Sequence, residues 1–118
     1  HSMKAAIDVL KEIVGASRSI AVLGDMLEMG DWALAAHVEV GEYAFLSNID
    51  YIITVGENAK NIAHGAIKAG MKPDKVFSFE NNKESIAFLK GFVKAGDTVL
   101  VKGSRGMKME EIVESLLE

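Results

Sequence analysis

Residues 96–113 read GDTVLVKGSRGMKMEEIV, a short β-branched run closed by glycine, then a turn carrying cations between glycines, then apolar residues at helical spacing. A run this short and this continuously apolar is what a strand covered on both faces of a parallel sheet presents. The stripe Met109, Ile112, Val113, Leu116 and Leu117 has the period of an amphipathic helix. The same grammar recurs upstream. SIAVLG (19–24) leads through the loop GDMLEMGD into a helix from Trp32 to about Leu46, with Leu34, Val38, Gly41 and Phe45 on its inner face and Asp31 placed to cap it. YIITVG (51–56) leads into a helix over Asn58–Ala69 whose inner side, Ala59, Ile62, Ala63, Ala66 and Ile67, is alanine-rich and suits close packing; Gly70 closes it. KVFSF (75–79) follows Pro73 and runs into NNKE (81–84), an Asn cap with a Glu three residues on, and a helix through Ile86, Leu89 and Val93 to Gly96. Ahead of all of these, Met3 to Gly15 predicts a helix with Met3, Ala6, Ile7, Leu10, Ile13 and Val14 on one side and glycine at its C-cap.

One helix followed by strand–helix units with short connections predicts an α/β, three-layer, Rossmann-like domain: a mainly parallel sheet of four strands flanked by helices through right-handed crossovers. Ligands of such sheets bind beyond the C-terminal strand ends, where strand order reverses. That directs attention to the loops GDMLEMG, VGEN, FENN and KGSRG.

Composition limits what those loops can serve. With 118 residues, 49% hydrophobic, the chain can bury one core and has no need of a disulfide or structural metal. A net charge of −4 leaves no basic field for a nucleic acid or an anionic membrane, so any cationic site is local. The absence of cysteine excludes disulfide scaffolds, thiolate zinc sites and cysteine nucleophiles. With no membrane-length apolar run and no signal-like start, the expected location is the cytoplasm.

KGSRG places glycines, a point charge at Lys102 and the planar fork of Arg105 before a helix, with Ser104 between them. Outward backbone N–H groups, a helix N-terminus and two cations favour a phosphate or carboxylate. The plain alternative is a strand-to-helix turn with two solvated cations. GDMLEMG brings Asp25, Glu28 and Asp31 into one loop, with His37 on the next helix. Their spacing has none of the specificity of a metal motif, so the functional reading is a carboxylate that orients an amine or a ribose hydroxyl, and no metal site is expected. Met26, Leu27 and Met29 read first as packing residues, as does Trp32; His64 reads as a surface side chain. Neither GxGxxG nor GxxxxGK[ST] is present, and nothing resembles a nucleophile with its base, so no catalytic residue is expected in this chain alone.

Taken together, VLGDMLEMG (22–30), the His37-to-Gly41 spacing, IDYIITVGENA (49–59) and GDTVLVKGSRGMKMEEIV (96–113) resemble the C-terminal domain of the Mur ligase family over nearly the whole chain. The opening His1-Ser2-Met3, ahead of a helical pattern already running by Ala6, reads as if His1 were foreign to the native sequence, and the resemblance implies that residues 1–118 are the last of three domains in a longer enzyme. It implies an ATP-dependent amide-bond ligase of peptidoglycan precursor synthesis that joins the carboxylate of UDP-N-acetylmuramoyl-tripeptide to the amine of D-Ala-D-Ala through an acyl phosphate. ATP and Mg would be anchored mainly by the central domain, and the partners would be the enzyme's own N-terminal and central domains. Asp25, Met26, Glu28, His37, Lys102, Ser104 and Arg105 would then be substrate- or nucleotide-binding candidates. The family fold also implies the strand at 97–102 beside that at 19–24, then 51–55, then 75–79, which sets GDMLEMG and KGSRG facing each other across a crevice. The rivals are another ligase of the superfamily such as folylpolyglutamate synthase, a nucleotide-binding module, and a receiver-like domain. A receiver needs an aspartate after its third strand, where this chain has Gly56 or Glu80.

Overall fold

The computed structural model describes residues 2–15 and 17–118, so the reading of His1 lies outside it. The order is α1 (Ser2–Val14), β1 (Ser19–Gly24), α2 (Ala33–Leu46), β2 (Tyr51–Val55), α3 (Lys60–Ala69), β3 (Val76–Phe79), α4 (Asn82–Phe92), β4 (Thr98–Lys102) and α5 (Glu110–Leu116), with 3-10 turns at Gly30–Trp32, Pro73–Lys75 and Arg105–Met107. The strands form one sheet in the order β3-β2-β1-β4, parallel at every pairing. Fold class and strand order are those expected above.

Alternation along β1 builds a core on each face of the sheet. Ala21 and Leu23 pack with Met3, Ile7 and Leu10 of α1, Val40 and Ala44 of α2, and Ile62 and Ala66 of α3. Ile20 and Val22 pack instead with Ile53, Val55, Leu89 of α4, and Met109 and Ile112 on the α5 side. Helices therefore cover both faces, and all six residues of β1 are buried.

The tightest helix contact is the crossing of α2 and α3. A Cβ on Gly41 would fall 1.9 Å from the Ile62 carbonyl oxygen, and one on Gly65 would fall 2.1 Å from that of Val38. Two facing glycines let the backbones touch, and this crossing sets the rotation of α2. Its inner face is His37, Val40, Gly41 and Ala44, whereas Leu34, expected inside, is 60% exposed. Trp32, read as a packing residue, is 75% exposed. Asp31 does not cap α2, because the 3-10 turn Gly30–Trp32 feeds the helix and no side chain caps it.

Two other helix ends differ from expectation. α4 stops at Phe92 rather than reaching Gly96, and Val93 is extended. The Lys94 N–H donates to Asp97 Oδ2 at 2.8 Å in place of a helical carbonyl. In α1, Ile13 is 65% and Val9 55% exposed. They overhang the free edge of β4 and line a groove of about 280 Å³ with Ala6, Leu10, Val99 and Leu100.

At the N-terminal end of the sheet Arg18 ties three segments. Its guanidinium donates to both carboxylate oxygens of Asp97, at 2.9 and 2.6 Å, and to the Phe92 carbonyl at 2.8 Å. The same group stacks over the Tyr51 and Phe92 rings, 5.2 and 4.8 Å from their centroids. Arg18 holds the Asp97 carboxyl down at about 2, and the pair raises the arginine in turn.

Two outcomes are expected of the 118-residue chain. Gly41→Ala should destabilise it by about 1–3 kcal/mol or more through overpacking, despite alanine's better helix propensity. Gly91→Ala, in α4 with open space around it, should instead stabilise by about 0.4–1 kcal/mol. Urea unfolding of both variants tests the pair, and equal effects would refute the crossing argument. For Asp97, a folded value depressed from 3.8 to about 2 means stability fully present above that ordinary value and lost as pH falls through the folded one. Unfolding free energy should therefore drop between pH 4 and pH 2 more steeply in the parent chain than in Asp97→Asn.

Candidate ligand site at the ends of β1 and β4

β1 and β4 are neighbours with Leu23 opposite Lys102, so the loops that leave them start side by side. Gly24 and Gly103 permit this. A Cβ on Gly24 would lie 2.7 Å from Met109 Sδ, and one on Gly103 would lie 3.2 Å from the Gly24 Cα and 2.9 Å from Met109 Cγ. Met109 fills the space two side chains would have taken.

The loops are then joined by hydrogen bonds. Ser104 N–H donates to the Asp25 carbonyl at 3.0 Å, and Leu27 N–H donates to Ser104 Oγ at 2.7 Å. The Leu27 side chain reaches the backbone of the turn, where a Cβ on Gly106 would meet it at 2.9 Å.

Asp25 faces inward. Its Oδ1 accepts the Ala59 N–H at 2.7 Å, and its carboxylate lies against Gly56, whose φ of +117° suits glycine. Ala59 is the N-cap of α3 and offers no side-chain cap of its own. Asp25 thus brings a negative group to the positive end of α3 from 34 residues away.

His37 is fully buried. Met26 N–H donates to its Nε2 at 2.9 Å, and its Nδ1 lies 2.6 Å from the Ala33 carbonyl. The first partner can only donate and the second can only accept, so the ring is neutral with its proton on Nδ1. Met26 itself is half-buried, beside Met3, Met29 and Val40.

The other candidates face solvent. Glu28 is exposed in a left-handed conformation, φ +62°. Arg105 is exposed on the 3-10 turn and Lys102 is half-buried at the end of β4. The Ser104, Met107 and Lys108 N–H groups of the turn are engaged internally, and α5 begins only at Glu110, with Glu110 and Glu111 in its first turn.

Two supporting residues went unnoticed in the sequence. Asn82, at the start of α4, donates to the Met107 carbonyl at 2.9 Å and to Glu111 Oε1 at 2.9 Å, bracing the far side of the turn. Lys60 joins the VGEN and FENN loops through Glu80 at 2.8 Å and Glu57 at 3.3 Å, and these carboxylates raise its pKa, Glu80 foremost. The N-cap pattern at NNKE signalled the first neighbourhood; nothing local signalled the second. His64 is exposed on α3. Among the described residues no three His, Cys, Asp or Glu side chains gather as a metal site, and no helix is long and apolar enough to cross a membrane.

This arrangement has relatives. Residues 1–105 match the family model described as "Mur ligase, glutamate ligase domain". The UDP-N-acetylmuramoyl-tripeptide–D-alanyl-D-alanine ligase of Bacillus subtilis is 41% identical over 99% of this chain and 25% of its own length. That of Escherichia coli is 38% identical over 99% of this chain and 24% of its own. A crystal structure of MurF from Acinetobacter baumannii superposes with a TM-score of 0.84 at 28% identity, covering 98% of this chain and 25% of that one. The chain thus spans about a quarter of the length of the curated relatives it matches. On a match that covers most of its length, the chain belongs to the Mur ligase family.

Proposed function

We propose that this chain is the C-terminal domain of a three-domain, ATP-dependent cytoplasmic ligase that joins D-Ala-D-Ala to UDP-N-acetylmuramoyl-tripeptide in peptidoglycan precursor synthesis. The observation that carries the proposal is similarity along the whole of this chain to one quarter of ligases named for that reaction, 41% identity over 99% of the chain and 25% of the ligase in one case. The remaining three-quarters of such an enzyme supplies the other domains, with the anchors for ATP and magnesium. Lys102 and Arg105 suit an anion.

The chemistry assigns the residues as follows. Condensing a carboxylate with an amine in water requires an activated acid that is kept from hydrolysis until the amine arrives, which a closing domain provides. Lys102 and Arg105 stand where a phosphate or the dipeptide carboxylate would meet them on closure, and Glu28 is placed to attract the ammonium end of the dipeptide. Asp25, Met26, His37 and Ser104 act behind them by holding the loop that carries Glu28. No group of this chain forms or breaks a bond to substrate, so the chain alone should consume no ATP.

The test is steady-state kinetics of the complete ligase with ATP, UDP-tripeptide and D-Ala-D-Ala. Arg105→Ala should remove charge-assisted bonds worth about 1.5–3 kcal/mol each, or about tenfold to more than a hundredfold in kcat/KM, while thermal stability stays put because the side chain is exposed. Arg105→Lys should rescue little if the contact is a two-pronged fork. Unchanged kinetics in the alanine variant would return the turn to a solvated connection.

Asp25 should show the opposite profile. Asp25→Ala strands the Ala59 N–H and should destabilise the domain by about 1–3 kcal/mol. Asp25→Asn keeps an acceptor oxygen there and should retain most of the stability. Equal stability of parent and alanine variant in urea would remove the structural role.

A further inference from the structure

We infer that His37 is a positioning residue for the ligase reaction, acting solely through the Met26 amide to hold the GDMLEMG loop against the KGSRG turn. The inference rests on the ligase reading for its kinetic consequence and on geometry for its physical content. An imidazole with no exposure inside the α1–α2–α3 layer is a poor filler; leucine or phenylalanine would pack there without a polar group to satisfy. What it adds is a lone pair on Nε2 aimed at the Met26 N–H, 2.9 Å away. The Ala33 carbonyl, one helical turn back, holds the proton on Nδ1 and so keeps that lone pair bare.

The neighbouring loop groups are held from other directions. Asp25 Oδ1 takes the Ala59 N–H of the α3 start, and the Leu27 N–H goes to Ser104 Oγ on the turn after β4. Three consecutive residues are thus fixed by three elements: Asp25 by α3, Met26 by α2 and Leu27 by the turn. The next residue is Glu28, held at positive φ. Its place relative to Arg105 depends on all three ties, and among the described residues the His37 tie is the side-chain hydrogen bond that α2 contributes. Without it the loop pivots about Leu27 and Glu28 moves, although the fold persists.

Substitutions separate an acceptor at the Nε2 position from burial or volume. Gln at position 37 can put Oε1 near where Nε2 stands; Asn is too short, and Phe fills the space with no acceptor. In the complete ligase, His37→Asn and His37→Phe should raise KM for D-Ala-D-Ala and lower kcat/KM by up to about a hundredfold, the scale of an ångström-sized misplacement. KM for ATP should change much less. His37→Gln should restore most of the loss, and Ser104→Ala, which frees the adjacent amide from the other side, should reproduce the D-Ala-D-Ala effect. Independently of activity, amide hydrogen exchange at Met26 in the 118-residue chain should be slow in parent and Gln variants and fast in the Asn variant. Failure of Gln to rescue, or slow Met26 exchange in the Asn variant, overturns the inference. A parent ligase that turns over ATP without regard to D-Ala-D-Ala overturns the functional reading instead, and the exchange measurement then still decides whether the latch exists.

Discussion

Strand β1 lies between two parallel neighbours and between two helical layers, and the rest of the structure follows from that confinement. It is registered with β2 from Ile20 to Gly24 and with β4 from Ser19 to Leu23. The chain winds outward from β1 to β2 and β3, then returns across the sheet to lay β4 on the other side. Reversal of direction at β1 makes neighbours of two loops whose contacting residues, Leu27 and Ser104, are 77 positions apart. Adjacent strands are separated by only about 4.8 Å, so glycine at both strand ends is a steric requirement of the Met109 packing.

β1 and β2, buried almost throughout, write themselves as continuous apolar runs, and the edge strands β3 and β4 keep that pattern although they are only half-buried, so the order of elements, the parallel sheet and the pair of loops at the reversal were legible in the sequence. The Asn81 cap was legible too, because its partner, the Glu84 N–H at 2.9 Å, is three residues away. The role of Asp25 was not. Its partner lies on another helix, and an acidic residue in a glycine-bounded loop reads the same whether it faces solvent or the dipole of α3. The inner face of α2 was read in part: Gly41 lies inside and Phe45 packs against the core as expected, but Leu34 is exposed, because close contact between the helices turns the small Gly41 and Ala44 inward. Trp32 shows the converse, since hydrophobicity alone states no partner, and none of the cores contains it.

The loop candidates divide by a property that sequence does not record, which is direction. Polarity marked His37 and Asp25 as binding candidates, and the hydrogen bonds their side chains make lie within the domain. A buried polar group must be satisfied where it sits, so the inward set holds one loop conformation and the outward set remains free to meet a ligand. Loops anchored by buried polar ties keep a defined surface while leaving the fold insensitive to the outward residues.

Charge distribution gives this division an energetic sense. The chain holds more acids than bases, seventeen against thirteen, and several of its cations are already matched: Arg18 with Asp97, Lys4 with Glu39, Lys60 with Glu80. Among the described residues neither Lys102 nor Arg105 has such a partner, and Asp25, whose carbonyl accepts the Ser104 N–H, turns its carboxylate toward α3. Leaving exposed cations unpaired costs the fold little, because surface ion pairs contribute about 0–1 kcal/mol. An anion that approached the turn would therefore meet charges that no internal carboxylate has to release first.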